Sequence, residues 1–148
     1  MGAPFKAYDV RGRIPAEINV PFAYRFSQAL KQSLNPGTVV IGHDMRMDSP
    51  ALAEALTQGL LDSGVAVRPV GRCGTEEVYF HPAASGADAG LMVTASHNPP
   101  DYNGIKMVLK GASAATPDNA FNAIEEIMRS DAVLQPVADY AARGALHD

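Results

Sequence analysis

Residues 38–70 read TVVIGHDMRMDSPALAEALTQGLLDSGVAVRPV. T-V-V-I-G (38–42) is a short β-branched run closed by glycine, the pattern of a strand buried on both faces. After the polar H-D-M-R-M-D stretch, Ser49 followed by Pro50 predicts an N-cap and a first-turn proline. Leu52, Leu56 and Leu60 recur every four residues, so 50–62 reads as a helix with one apolar stripe. Gly64 supplies its stop. V-A-V-R-P-V (65–70) is a second strand, which Pro69 is expected to shorten. Strand, helix and strand in this order form a β-α-β unit, and its right-handed crossover predicts a mostly parallel sheet.

The pattern continues on both sides. Upstream, Phe22, Phe26, Leu30 and Leu34 set a helix over 21–34. Downstream, 89–95 and 104–109 read as strands, and Thr116-Pro117 opens a helix carrying Phe121, Ile124 and Met128. Residues 75–86 are ambiguous with a helical leaning, and from about 131 periodicity fades. The expectation is an α/β domain of three layers, α/β/α.

Composition narrows the function. The chain has 148 residues, 47% of them hydrophobic, enough for one domain with a real core. A net charge of −4 offers no field for nucleic acid or an anionic membrane surface. One cysteine, Cys73, excludes an internal disulfide framework and a multi-cysteine zinc site. No apolar run approaches the ~20 residues of a membrane span. The first residues hold no apolar stretch of signal-peptide length, and the expected compartment is the cytoplasm. There is no P-loop, no G-x-G-x-x-G and no G-x-S-x-G. His43, His81 and His147 stand at no metal-binding spacing.

Chemistry concentrates in V-T-A-S-H-N-P-P-D-Y-N-G-I-K (93–106). Ser96 lies just past the carboxyl end of a buried strand, where open α/β sheets bind ligands. Pro99-Pro100 stiffens the loop, and Asn103-Gly104 predicts a tight reversal into the next strand. These residues read two ways, as a rigidly held nucleophile or as ordinary turn chemistry. His97 is adjacent to Ser96 and, in an extended segment, points the other way, so a hydrolase pair is not indicated. Lys106, just inside the following strand, is either a phosphate-balancing or acid/base group or a solvated surface lysine. In F-K-A-Y-D-V-R-G (5–12), Tyr8, Asp9 and Arg11 gather near Gly12. Arginine suits phosphate oxygens, although Asp9 and Arg11 are equally suited to tying down a first strand. Asp44 and Arg46 read as a pair bracing their loop.

Taken together, F-K-A-Y-D-V-R-G, G-H-D-M-R-M-D-S-P, C-G-T-E-E-V-Y-F and V-T-A-S-H-N-P-P-D-Y-N-G-I-K resemble, in order, the first domain of the phosphohexomutases. They are most like those of bacterial phosphomannomutase and the dual phosphomannomutase/phosphoglucomutase, and the third block leans toward the mannomutase branch. The resemblance implies a three-layer α/β/α domain on a four-stranded mixed sheet over residues 1–130, with 131–148 leading toward a second domain. It implies that Ser96 carries the phosphoryl group exchanged with a hexose 1- or 6-phosphate, through a hexose 1,6-bisphosphate that also serves as activator. By the same resemblance Lys106 assists proton transfer, Arg11 and Tyr8 complete the transfer site, and His97 and Asn98 contact substrate. A Mg²⁺ would bridge the Ser96 phosphate. Its aspartates belong to a D-G-D-x-D-R loop absent from this sequence, as is the sugar-selecting G-E-x-S-G-H type loop. The chain alone is therefore expected to be incomplete as a catalyst, and to self-associate through surface left uncovered. The alternative is a detached non-catalytic module that binds sugar phosphate or a partner subunit.

Overall fold

The computed structural model describes residues 9–72, 87–94, 99, 101–110 and 113–129. Expectations for 75–86 and 131–148 lie outside them. In chain order the elements are β1 (Val10–Arg13), α1 (Val20–Leu34), β2 (Thr38–His43), α2 (Ser49–Asp62), β3 (Ala66–Arg72), β4 (Ala89–Val93), β5 (Tyr102–Leu109) and β6 (Ser113–Ala114). A π-helical turn (Pro117–Phe121) then leads into α3 (Asn122–Arg129).

The sheet order is β1-β5-β4-β2-β3, with β6 pairing the end of β5. β2 runs parallel to both β3 and β4, while β5 is antiparallel to β4, β1 and β6. The β-α-β unit is as the sequence predicts, and the sheet as a whole is mixed, as the family resemblance implies, rather than mostly parallel as that unit alone suggests. Among the described residues it has six strands where four were expected. The two extra strands are short and carry too few apolar residues to announce themselves: Val10 is the one apolar side chain of β1, and β6 is a two-residue bridge.

Each helix presents its stripe to the same face of the sheet. Phe26 and Leu30 of α1, Leu52, Leu56 and Leu60 of α2, and Ile124 of α3 meet Val10, Val39, Ile41, Leu91, Val93, Ile105 and Met107 in one core. α1 and α2 approach closely at Gly59, where a Cβ would sit 2.6 Å from the Tyr24 carbonyl oxygen. Ser27 Oγ there donates to the Leu56 carbonyl at 2.7 Å. On the opposite face Met92 and Val108 form a separate buried pair against Val70, so part of that face too is withdrawn from water.

Three local expectations are corrected. Ser49 does not cap α2: the cap position is Asp48, without a side-chain bond, and the buried Ser49 hydroxyl turns to Asp44 instead. Pro69 does not shorten β3, because β3 is the sheet edge, where a missing N–H is tolerated. A register shift at Ile41/Gly42 absorbs the irregularity, with Gly71 at φ +69°. Asn103 and Gly104 are not a turn but lie within β5, opposite Gly12 and Arg11. The reversal falls earlier, where Tyr102 N donates to the Pro99 carbonyl at 2.9 Å. Thr116 opens the helical stretch as expected, its Oγ1 accepting from Asn119 N while Asn119 Oδ1 accepts from Thr116 N, but the first turn is π-helical and α3 itself starts at Asn122.

Candidate active site at the sheet rim

The parallel strands β2 and β4 end side by side at His43 and Val93. Their continuations stay joined, since Asp44 N donates to the Val93 carbonyl at 3.0 Å. On the other side, Thr94 N donates to the Gly104 carbonyl at 2.9 Å. Val93 and Thr94, which precede Ser96 in the chain, are therefore fixed on both flanks.

Arg11 and Lys106 share the face opposite the helices. Their strand neighbours Val10 and Ile105 belong to the main core, and alternation sends Arg11 and Lys106 the other way. Arg11 pairs with Gly104, two residues along β5 from Lys106, and Lys106 pairs with Met92 near the end of β4. Gly104 has no room for a side chain: a Cβ would meet the Val10 carbonyl at 2.0 Å and Arg11 Cγ at 3.0 Å. Its hydrogen lets the Arg11 side chain pass over the strand. Arg11 Nε is held at 3.0 Å by Asp9, which is 11% exposed in its side chain, while the Arg11 side chain stays 38% exposed. Both readings of that pair coexist, for it ties down β1 and leaves the guanidinium accessible.

Arg13, opposite Tyr102, lies on the same face and further toward the rim. Its Nε donates to the Tyr102 hydroxyl at 3.3 Å, and its guanidinium lies 5.6 Å from the ring centroid. The bond to Tyr102, reinforced by the charges of Tyr102 and Asp101, raises the Arg13 pKa above its ordinary value.

Beneath the rim runs a polar network that the sequence reading reached only in part. Asp44 and Arg46 are paired as expected, Nε to Oδ2 at 3.5 Å, with side chains only 20% and 17% exposed. Arg46 Nη1 then crosses to the other loop and donates to the carbonyls of Pro99 at 2.8 Å and Tyr102 at 3.0 Å. Asp44 Oδ1 accepts from Arg46 N and from the Ser49 hydroxyl, and Ser49 Oγ accepts from Asn103 Nδ2 at 3.0 Å. Asn103 is fully buried, and its Oδ1 accepts from Gly104 N. Nothing in the local sequence marks Ser49, Asn103 and Tyr102 as site residues. Their partners lie more than fifty positions away in the chain, and no local spacing reports that.

Among the described residues, no group of three His, Cys, Asp or Glu side chains is placed to hold a metal ion. A cavity of about 420 Å³ lies at the other rim, lined by Leu34, Pro36, Asp88, Leu109 and Lys110, and touches none of these groups. Tyr8, Ser96, His97 and Asn98 lie outside the described residues.

Comparison with known proteins places this fold. The family model "Phosphoglucomutase/phosphomannomutase, alpha/beta/alpha domain I" matches residues 2–134. The chain belongs to the phosphoglucomutase/phosphomannomutase family, as its α/β/α domain I. It is 51% identical over 127 residues to a protein of Xanthomonas campestris named "Phosphohexose mutases", covering 86% of this chain and 28% of that one. It is 45% identical over 141 residues to a phosphomannomutase of Salmonella typhimurium, covering 95% of this chain and 30% of that one. The solved structure of a "putative phosphomannomutase" from Thermus thermophilus superposes with a TM-score of 0.82 at 31% identity, covering 100% of this chain and 34% of that one. The chain thus spans about three tenths of the length of these relatives. No helix among the described residues is long and apolar enough to cross a membrane.

Proposed function

We propose that this chain is the phosphoserine-bearing part of a hexose-phosphate mutase, one that interconverts mannose or glucose 1-phosphate and 6-phosphate through a bisphosphorylated sugar. In the transfer step a sugar hydroxyl oxygen attacks the phosphorus on Ser96 and the P–Oγ bond breaks. The hydroxyl proton passes by way of Lys106 to Ser96 Oγ. The atoms balance: phosphoserine and sugar alcohol become serine and sugar phosphate. Such a transfer asks the protein chiefly for in-line position and for cations against the phosphoryl oxygens. Arg11 and Lys106 supply the cations, and Tyr8, His97 and Asn98 contact the sugar phosphate.

The observation that carries this reading is that Arg11 and Lys106 stand on one face, on either side of Gly104. The Gly104 carbonyl anchors Thr94, at the start of T-A-S-H-N-P. A family-type Mg²⁺ finds no carboxylate cluster among the described residues, and in this reading it would meet the Ser96 phosphate. No step here is routed through it.

The test is intact-mass measurement after incubation of the purified chain with glucose 1,6-bisphosphate. Slow uptake of one phosphate that Ser96→Ala abolishes is expected. No uptake by the wild-type chain, or uptake that survives Ser96→Ala, would overturn the proposal and leave a module that binds sugar phosphate without taking part in the transfer.

A further inference from the structure

Between His43 and Ser49 the burial of side chains is inverted. Met45 is 80% exposed and Met47 94%, although methionine is ordinarily among the buried types. Arg46, between them, is drawn inward to a side-chain exposure of 17%. A loop that turns two methionines out and an arginine in has been shaped around what the arginine holds. Arg46 holds the Pro99–Tyr102 turn. Its Nε is fixed by Asp44, and its Nη1 reaches two carbonyls at opposite ends of that turn. The same turn is closed by Tyr102 N on the Pro99 carbonyl and pinned to β1 by Ile14 N on the Asp101 carbonyl at 2.8 Å. A lysine could keep the charge opposite Asp44. Only the rigid guanidinium can hold Asp44 at Nε while a second, offset nitrogen, Nη1, reaches both carbonyls.

We propose that Arg46 is a positioning residue for the seryl loop: it holds the Pro99–Tyr102 turn, on the carboxyl side of Ser96 in the chain, against the β2 loop, and the rate of transfer at Ser96 depends on that hold. The proposal rests on the phosphoserine reading for its functional half, while its structural half stands alone. Asp44 and Ser49 act behind it. Asp44 orients the guanidinium, and Ser49 relays Asp44 to Asn103 at the start of β5.

The test compares wild type with Arg46→Lys and Arg46→Gln in the 148-residue chain. Amide hydrogen exchange is followed by peptide, and phosphate uptake from glucose 1,6-bisphosphate by intact mass. In both variants exchange is expected to rise about tenfold or more in peptides over 94–104 and to stay unchanged over β3. The maximal uptake rate is expected to fall about 10- to 100-fold, with little change in the donor concentration that gives half the rate, because a displaced nucleophile loses rate before affinity. Lysine is expected not to rescue. Rescue by lysine would mean that charge alone matters and would overturn the proposal, as would exchange that is unaltered or that rises evenly across the sheet. Should the wild-type chain take up no phosphate, the proposed function fails. The exchange pattern then decides alone whether Arg46 holds the turn.

Discussion

At Gly104 the edge of the sheet has no slack. A methyl group there would lie 2.0 Å from the Val10 carbonyl oxygen, a backbone atom that cannot swing aside. Gly104→Ala must therefore part β1 from β5, and a loss of about 2–4 kcal/mol is expected in denaturant unfolding. The neighbouring Asn103 makes a different demand. Its amide is fully buried and bonded at both ends, to Ser49 Oγ and from Gly104 N. Asn103→Ala leaves the Ser49 hydroxyl and the Gly104 N–H short of a partner, and a cost of about 1–3 kcal/mol should appear in the same measurement. In the sequence the two residues are an Asn-Gly dipeptide, and such a dipeptide does favour tight reversals. Here asparagine serves as a buried connector to Ser49, 54 positions upstream, and glycine as a gap for Arg11 of β1, which arrives from about ninety residues upstream. Arg11 and Lys106 each read two ways in the sequence, as groups for a phosphate or as a strand tie and a surface lysine, and only the resemblance gave them roles. Their common face became evident only once the antiparallel register was known.

The elements were legible in proportion to how much apolar surface each must bury. α1, α2 and the strands β2 to β5 carry their pattern in the chain, since a four-residue apolar spacing or a β-branched run has few other uses. The six-strand sheet was not, because β1 and β6 are held by long-range ladders rather than by their own side chains. Pro69 misled for a related reason: whether a proline interrupts a strand depends on whether the strand is an edge, and edge position belongs to topology. The α1–α2 contact gives a prediction at this scale. Gly59 sits in a helix interior, where alanine would ordinarily stabilise by about 1 kcal/mol. Its Cβ, however, would meet the Tyr24 carbonyl oxygen at 2.6 Å and Ser27 Cβ at 2.7 Å. Steric conflict should win, so Gly59→Ala is expected to lower stability by about 1–3 kcal/mol and to weaken the Ser27–Leu56 bond across the helix pair. Calorimetry on the variant checks the sign. A raised melting temperature would show that the two helices separate at little cost.

For the whole molecule, the division of labour follows from which groups this chain brings together. The described rim gathers cations and a fixed loop base, but no carboxylate cluster for a metal. Its relatives named as phosphohexose mutase and phosphomannomutase are more than three times as long. Lowering the barrier to phosphoryl transfer relies on cations and positioned donors acting together on the phosphoryl oxygens, and losing one such group typically costs a factor of about 10²–10³. The purified chain is therefore expected to interconvert mannose 1-phosphate and mannose 6-phosphate no faster than the Ser96→Ala variant under steady-state conditions, even where its serine slowly accepts phosphate. The two behaviours separate cleanly, because acceptance needs one transfer and turnover needs two, with the sugar held and reoriented between them. A coupled assay on chain purified from a host lacking its own mutase decides the matter. Turnover that is proportional to chain concentration and abolished by Ser96→Ala would mean that this rim is sufficient by itself for both transfers.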